Sequence, residues 1–344
     1  MRLDGKAIQE AIKTLIAEYK YDPMMVLDIV KMGIRTAYKK DYMPNDRKAI
    51  IQIAIGADGS IKMYREFTAV ENIEEEDQEM LLEEVRKDHK ADAELGDKIY
   101  IDITPDPLDF SRVGVVAAAQ TIKQNLKNIE RERFYQKFQD KQGELLRAKV
   151  LRVIAESVVL DVDGVTVVLP PESQIPNRVY HSGEEIIVFL KQISKGIWWI
   201  NLDITQAWTE FVEALLRRIV PELEEGKVYI DKIVRVTGKR TKMVVWSNDE
   251  KIDPVGVFVG HAGDRISTIL SLLDGEKIDF IEYSGDDVKL IIDSLKPAKV
   301  DNVSIKGDKV KVKLPADQKS LAIGKGASNI KLASMLTGYR IELV

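Results

Sequence analysis

The sequence contains, at positions 259–266, the stretch Val259-Gly260-His261-Ala262-Gly263-Asp264-Arg265-Ile266. A related stretch follows 64 residues later, Ile323-Gly324-Lys325-Gly326-Ala327-Ser328-Asn329-Ile330. In each copy a short glycine loop separates two helical patterns, and a strand pattern follows the second helix. Two further strand patterns precede each copy, at 227–236 and 242–246 and at 299–305 and 309–314. The repeat therefore predicts two similar α/β units, each ordered strand, strand, helix, loop, helix, strand.

The chemistry of a Gly-x-x-Gly loop between two helices suits an RNA backbone. Glycine lets the chain turn with positive φ, and the missing side chains let a sugar–phosphate backbone come close. The following helix directs its free amides and the positive end of its dipole at a phosphate. A KH domain binds about four unstacked nucleotides in this way. One such loop is often a plain turn between helices, but two copies in the same context predict two tandem KH (type II) α/β domains.

Candidate RNA contacts are the loop residues and the basic or polar side chains near them. They are Arg240, Lys242, Gly260, His261, Ala262, Gly263, Arg265, Gly324, Lys325, Gly326, Ala327, Asn329 and Lys331. Asp264 follows the first loop, and a carboxylate there takes up the amides that a phosphate would use. We therefore expect the first KH domain to bind RNA more weakly than the second. Ala327 fits its loop if its φ is helical and strains the loop if its φ is positive.

Short strand patterns separated by glycine turns fill residues 145–203, which predicts a small OB-type β-barrel. Barrels of this kind bind single strands through aromatic side chains interleaved with cations. The same aromatic side chains can instead fill the barrel interior, and the sequence leaves both roles open. The candidates are Tyr180, His181, Phe189, Trp198 and Trp199.

The first 137 residues predict an α+β domain. Asp22-Pro23 is a helix start, a hairpin follows around residues 56–59, and a long helix spans about 111–137. Two basic stripes lie at helical spacing in this domain and are either solvated faces or docking surfaces. They consist of Lys31, Arg35 and Lys39 and of Lys123, Lys127 and Arg131.

Composition excludes several classes of function. The 344 residues include no Cys and three His, far apart in sequence, so we expect no disulfide, no metal and no cofactor. No apolar run approaches a membrane span and the N-terminus is not a signal peptide, which predicts a soluble, cytoplasmic protein without a membrane partner. The formal charge is −5, yet residues 291–344 carry ten Lys or Arg against five Asp or Glu.

Enzyme motifs are missing from the sequence. It has no phosphate-binding Gly-x-x-x-x-Gly-Lys-Ser/Thr loop, no Gly-x-Ser-x-Gly elbow and no His-Glu-x-x-His pair. We therefore predict that the protein is not an enzyme.

The chain resembles the NusA family of bacterial transcription factors. The resemblance rests on residues 247–266 and 320–326 in the KH units, on 238–242 before a strand, and on 118–124 and 37–40 near the N-terminus. It implies a multidomain α+β protein whose segments are 1–137 for the N-terminal RNA-polymerase-binding domain, 138–206 for the barrel, 207–296 for the first KH domain and 297–344 for the second. It is similar to members that lack C-terminal acidic repeats.

This resemblance implies a transcription elongation factor that binds core RNA polymerase and nascent single-stranded RNA. Such a factor modulates pausing, termination and antitermination, and other antitermination factors are further expected partners. The basic stripes of the N-terminal domain would then face the polymerase, and we expect a monomer. The alternative is a stand-alone single-stranded-RNA-binding protein that acts without RNA polymerase.

Overall fold

A computed structural model describes residues 5–46, 48–56, 58–196 and 199–344 of the chain. The chain divides into two compact units, residues 1–133 and 134–344. Within the described ranges, no helix is both long and apolar enough to cross a membrane.

The first unit is the predicted α+β domain. Asp22 caps its second helix by accepting a hydrogen bond from the amide of Met25, and Pro23 occupies the first helical turn, as the sequence predicts. In its sheet, β1 and β4 each pair antiparallel with β2, and β3 adds to β2 in parallel. The elements are α1 (Gly5–Tyr19), α2 (Pro23–Tyr42), β1 (Ile50–Ile55), β2 (Ile61–Val70), β3 (Glu79–Leu81), α3 (Leu82–Asp88), β4 (Lys98–Asp102) and α4 (Arg112–Gln139).

The barrel opens the second unit. Its strands pair antiparallel in the order β7-β6-β5-β8-β9, and β7 approaches β9 so that the barrel nearly closes. Alternate side chains of every strand point inward and form one apolar core, which Phe138 at the end of α4 helps to fill. The strands are β5 (Leu145–Ile154), β6 (Ser157–Val162), β7 (Val165–Leu169), β8 (Glu185–Lys195) and β9 (Ile200–Thr205).

The two predicted KH domains follow, each with a sheet of the same design. In both, the second strand pairs antiparallel with the first and parallel with the third. The first consists of α5 (Thr209–Ile219), α6 (Pro221–Glu224), β10 (Tyr229–Val236), β11 (Arg240–Trp246), α7 (Pro254–Val259), α8 (Asp264–Leu272) and β12 (Lys277–Glu282). The second consists of α9 (Asp287–Ser294), β13 (Asn302–Lys306), β14 (Lys309–Lys313), α10 (Lys319–Ile323), α11 (Ser328–Thr337) and β15 (Arg340–Leu343).

Helix α11 joins the two KH domains. One of its faces lies against its own sheet, where Ala333 is buried in the core of the second KH domain. Its other face, with Leu332 and Leu336, packs on Val234 and Val244 of the first KH sheet. Because α11 packs on both sheets, the face of the first sheet opposite its own core is also covered, and the helix forms the interface between the two domains.

A buried ion pair fixes the first KH domain to the end of the barrel. Arg235 and Glu276 lie 2.8 Å apart, with side chains 2% and 0% exposed. The guanidinium also donates to the carbonyls of Gln206 and Trp208, which follow the last barrel strand. Glu276 accepts from Thr241 and from the amide of Gly238, so its carboxylate is fully paired.

We expect Arg235→Met to lower the free energy of unfolding by about 3 to 5 kcal/mol, because it leaves the Glu276 carboxylate buried without its cation. Arg217→Met is the matched control, since Arg217 lies on the exposed face of α5 and pairs with Glu213 of the same helix and Glu224 of α6. That change should cost no more than about 1 kcal/mol. Urea denaturation of both variants measures the difference, and equal losses would contradict the assigned role of Arg235.

Candidate nucleic-acid interface

The loop of the second KH domain turns through three residues with positive φ. Gly324 has φ 72° and ψ 171°, a region open almost only to glycine, and Gly326 has φ 62°. Ala327 follows with φ 59° and ψ 21°, so it is left-handed rather than helical. Of the two conformations considered for Ala327, the structure shows the strained one.

The loop of the first KH domain has the same backbone course. Gly260 has φ 79° and ψ 178°, Ala262 has φ 51° and Gly263 has φ 80°. Each loop therefore ends in two left-handed residues, one glycine and one alanine, and the alanine takes the first place in one loop and the second place in the other. A left-handed alanine costs roughly 1 to 2 kcal/mol relative to its relaxed backbone. Both loops thus carry strain where an RNA backbone would approach.

The two loops differ in what meets the start of the next helix. Oδ1 of Asp264 accepts a hydrogen bond of 2.7 Å from the amide of Arg265, the first free amide of α8. The same carboxylate lies over Gly260, because a Cβ added to that glycine would collide with it. Helix α11 begins instead with neutral Ser328, and exposed Lys325 stands in the loop before it. The helix after the first loop therefore begins with a carboxylate, and the helix after the second begins with a neutral hydroxyl next to a cation-bearing loop.

A basic groove of about 600 Å³ adjoins the second loop. Lys239, Arg240 and Lys277 of the first KH domain line one wall, and Lys325 and Ser328 of the second line the other. Lys239 reaches close to the loop: its Nζ lies 3.8 Å from where a Cβ on Gly326 would stand. No lining residue in the described part of the chain is acidic. The groove therefore concentrates positive potential where the two domains meet.

Lys239 and Lys277 are absent from the sequence-based set of RNA contacts. Lys277 is the first residue of β12 and has no motif around it, and the repeat alone does not indicate that the two domains share a groove. Lys239 belongs to the stretch 238–242 that carries the family resemblance, but only Arg240 and Lys242 of that stretch are among the predicted contacts. Arg240 lines the groove with its guanidinium 2.8 Å from the Asp279 carboxylate.

Besides Arg240, three predicted RNA contacts have structural partners in the protein. Lys242 is 0% exposed, and its Nζ donates to Asp279 at 2.6 Å. Burial lowers the pKa of Lys242, and the neighbouring Asp279 carboxylate offsets only part of this decrease. Asn329 is 2% exposed and donates to the carbonyls of Leu295, Leu321 and Ala322.

Arg265 is the third of these predicted RNA contacts with a structural partner. Its guanidinium donates two hydrogen bonds to the Glu222 carboxylate, at 2.9 and 3.0 Å. These bonds lower the pKa of Glu222, which therefore stays ionised. Among the remaining candidates, the loop glycines Gly260, Gly263 and Gly324 are half-buried. The others are exposed: His261, Ala262, Lys325, Gly326, Ala327 and Lys331.

The barrel aromatics mainly fill space. Tyr180 is buried and donates its hydroxyl to Gln206, and Trp199 packs on Phe134 against the barrel core. Phe189 is buried among the side chains of the first KH core. His181 is exposed, and Trp198 lies outside the described residues. The interior role therefore accounts for Tyr180 and Trp199, whereas Phe189 points out of the barrel into the first KH core.

The two basic stripes of the first unit differ in exposure. The first stripe is half-buried at all three positions, Lys31, Arg35 and Lys39. Burial lowers the pKa of Lys39, and the negative charge of nearby Asp46 offsets part of this decrease. Lys123 and Lys127 are exposed and line a groove of about 530 Å³ between α1 and α4, whereas Arg131 is half-buried. Leu15, Ala119, Ile122 and Leu126 make the floor of this groove apolar, and Glu130, whose carboxylate accepts a hydrogen bond from the Tyr21 hydroxyl, also lines it.

Comparison with known proteins covers nearly the whole chain. Family models match residues 7–132 as a "NusA N-terminal domain", 206–283 as a "NusA-like first KH domain" and 288–344 as a "NusA-like second KH domain". The transcription termination/antitermination protein NusA of Thermus thermophilus is 34% identical over 97% of this chain and 88% of its own length. The chain belongs to the NusA family.

Two further relatives match most of this chain. NusA of Bacillus subtilis is 27% identical over 97% of this chain and 89% of its own length. NusA of Borreliella burgdorferi is 33% identical over 91% of this chain, which matches 64% of that protein. The solution structure of the N-terminal domain of NusA from B. subtilis aligns with 37% of this chain at 21% identity and a TM-score of 0.29.

Membership of the NusA family makes the chain a transcription termination/antitermination factor, and NusA proteins are not enzymes. The family implies RNA polymerase and RNA as binding partners. The predicted fold is confirmed as well, with the NusA N-terminal domain, a nearly closed OB-like barrel and two KH domains.

We expect Ala327→Gly to raise the free energy of unfolding by about 1 kcal/mol, since glycine relieves the left-handed strain at that position. Ala262→Gly should act in the same direction in the first loop. Gly324→Ala is the control and should destabilise, because its Cβ would lie 2.8 Å from Cβ of Asn329. Urea unfolding of the three variants tests the signs, and a loss of stability in Ala327→Gly would refute the strain argument.

Proposed function

We propose that nascent single-stranded RNA binds along the loop of the second KH domain and the adjoining basic groove. Lys325, Lys239 and Lys277 would hold backbone phosphates, and the free amides at the start of α11 would add the directional contact. The observation that carries this proposal is the groove itself, whose described walls hold four cations and no acid.

The first loop has the lesser share in this proposal. The Asp264 carboxylate already accepts a hydrogen bond from the Arg265 amide, which a phosphate would otherwise use. An RNA segment there would have to displace this carboxylate or bind without that hydrogen bond. His261 and Ala262 bring no fixed positive charge. RNA would therefore be held by the second domain and only guided by the first.

The N-terminal domain would contact core RNA polymerase through Lys123 and Lys127. These two lysines are exposed at the rim of an apolar groove, an arrangement that fits an amphipathic acidic segment of the partner. The half-buried Lys31, Arg35, Lys39 and Arg131 would support this face rather than reach the partner themselves.

The remaining parts of the proposal concern organisation. We propose the four segments 1–137, 138–206, 207–296 and 297–344 as the working domains, and a monomer in the cytoplasm as the acting form. Together they would modulate pausing, termination and antitermination during elongation, with other antitermination factors as further partners.

Charge changes at the two loops test the RNA assignment. Lys325→Asp should weaken the binding of an unstructured RNA at least tenfold, because it replaces a phosphate contact with a repulsive charge. Asp264→Ser should strengthen binding several-fold, because it frees the amide of Arg265. Fluorescence anisotropy measures both, and if only Lys325→Asp had no effect the proposed ranking of the two loops would be wrong.

A charge reversal in the full chain tests the polymerase assignment. The double variant Lys123→Glu, Lys127→Glu should lose retention on immobilised bacterial core RNA polymerase while its RNA affinity stays unchanged. Lys87→Glu, at an exposed position of α3, is the matched control and should be retained like the unchanged chain.

A comparison of the full chain with residues 138–344 separates the two readings of the protein. Binding of polymerase by the full chain alone supports docking through the first domain. If neither binds polymerase while RNA binding persists, the stand-alone RNA-binding alternative replaces the proposal.

A further inference from the structure

The outer face of the second KH sheet is covered with cations. Val310 and Val312 of β14 point inward into the core with α9 and α11, so the alternate residues of the sheet point the other way. All the outward residues are exposed. They are Asn302, Ser304, Lys306, Lys309, Lys311, Lys313, Arg340 and Glu342.

Three of these cations stand in one row across the sheet. Lys309 pairs in register with Lys306 on β13 and with Arg340 on β15. Directly opposed residues have Cβ atoms about 4.5 to 5.5 Å apart, a distance at which like charges destabilise a sheet. The row therefore carries a repulsion that the fold itself does not need.

Side chains within the described part of the chain do not relieve this repulsion. In the described ranges, none of the five cations on this face takes part in a salt bridge or a side-chain hydrogen bond. Glu342, the acid on the face, is in register with Lys311 in the next row. Five positive charges against one negative charge leave the face strongly basic.

Edge protection does not explain the lysines. Lysines often guard an edge strand against pairing with another chain. Here β14 carries three of them, and β14 is the central strand between β13 and β15. Its backbone groups are already paired on both sides.

The corresponding face of the first KH sheet is built differently. There Val234, Val244 and Ile281 are apolar, and α11 covers them. The second sheet presents lysines on the face where the first sheet presents apolar residues that pack against α11. Its chemistry therefore fits a charged partner and not another packed helix.

We propose that this lysine face, formed by Lys306, Lys309, Lys311, Lys313 and Arg340, is a second binding surface for the phosphodiester backbone of RNA. It takes a stretch of the strand beyond the few nucleotides held at the loop. Alternate residues of β14 repeat about every 6.6 Å, so its lysines can follow successive phosphates of an extended strand. Protein interfaces are enriched in aromatic residues and depleted in Lys, whereas the outward residues of this face include no apolar side chain, so RNA is the partner it fits.

The inference rests on the proposed function only in that RNA is the ligand. The test uses the full chain with the triple variant Lys306→Gln, Lys309→Gln, Arg340→Gln. Its control is Lys251→Gln, Lys289→Gln, Lys299→Gln, which removes three exposed lysines elsewhere in the same unit. Dissociation constants for an unstructured 40-mer and an 8-mer RNA are measured against salt concentration.

For the 40-mer, the triple variant should bind at least tenfold more weakly at low salt. The slope of its log affinity against log salt should fall by about 2, since each phosphate contact to a single strand contributes about 0.7. Binding of the 8-mer, which fills little more than the loop, should be unchanged. The control variant should behave as the unchanged chain with both RNAs, and the triple variant should melt at a higher temperature at low salt because the repulsion is gone.

Two results would overturn the inference. One is an unchanged affinity and salt slope of the triple variant for the 40-mer. The other is competition by polyglutamate as strong as that by RNA of equal charge, which would make the face a site for acidic polypeptide. Lys325→Gln separates this inference from the proposed function: it should weaken both RNAs, and if it weakened neither while the triple variant lost the 40-mer, the loop assignment would fail and the lysine face would stand.

Discussion

The buried pair of Arg235 and Glu276 is the constraint on which the geometry of the RNA-binding half depends. Its atoms tie three segments together: the end of the barrel through the carbonyls of Gln206 and Trp208, the turn before β11 through Gly238, and the start of β12. That turn carries Lys239 and Arg240, and the start of β12 carries Lys277. These three cations of the groove are thus held in place by an ion pair that is itself buried from solvent. Replacing such a pair by apolar residues often leaves stability unchanged, so its value here lies in fixing position.

A second consequence follows from the sharing of α11 between two cores. Because the helix begins at the second loop and then packs on the first KH sheet, the loop is held at a set distance from the turn that carries Lys239. The groove is therefore a product of the interface between the domains and belongs to neither alone. Lys232 strengthens this interface by donating to the carbonyl of Leu336 near the end of α11.

The sequence predicts most of this fold because the signals are local. Asp22-Pro23 starts α2, glycine turns separate the barrel strands, and the repeated loop marks both KH domains. The site was less predictable, since burial depends on packing between domains. Lys242 stands beside Arg240 and Thr241 at the polar start of β11, a place where the sequence predicts an exposed cation, yet neighbouring segments cover it and Asp279 pairs with it. The residue type at position 327 does not predict its positive φ, because the conformation of the whole loop sets the backbone there. The lysine face needed the register of three strands before its cross-strand row became apparent.

The shared helix also bears on how the protein is made. The chain is synthesised from its N-terminus, so the first KH sheet leaves the ribosome before the second KH domain does. Helix α11 is the last helix to emerge. Until α11 arrives, Val234, Val244 and Ile281 form an apolar surface open to water on a nearly complete domain. At ordinary rates of synthesis this interval lasts a matter of seconds. The first KH domain therefore completes the burial of its sheet only when almost the whole chain has been synthesised.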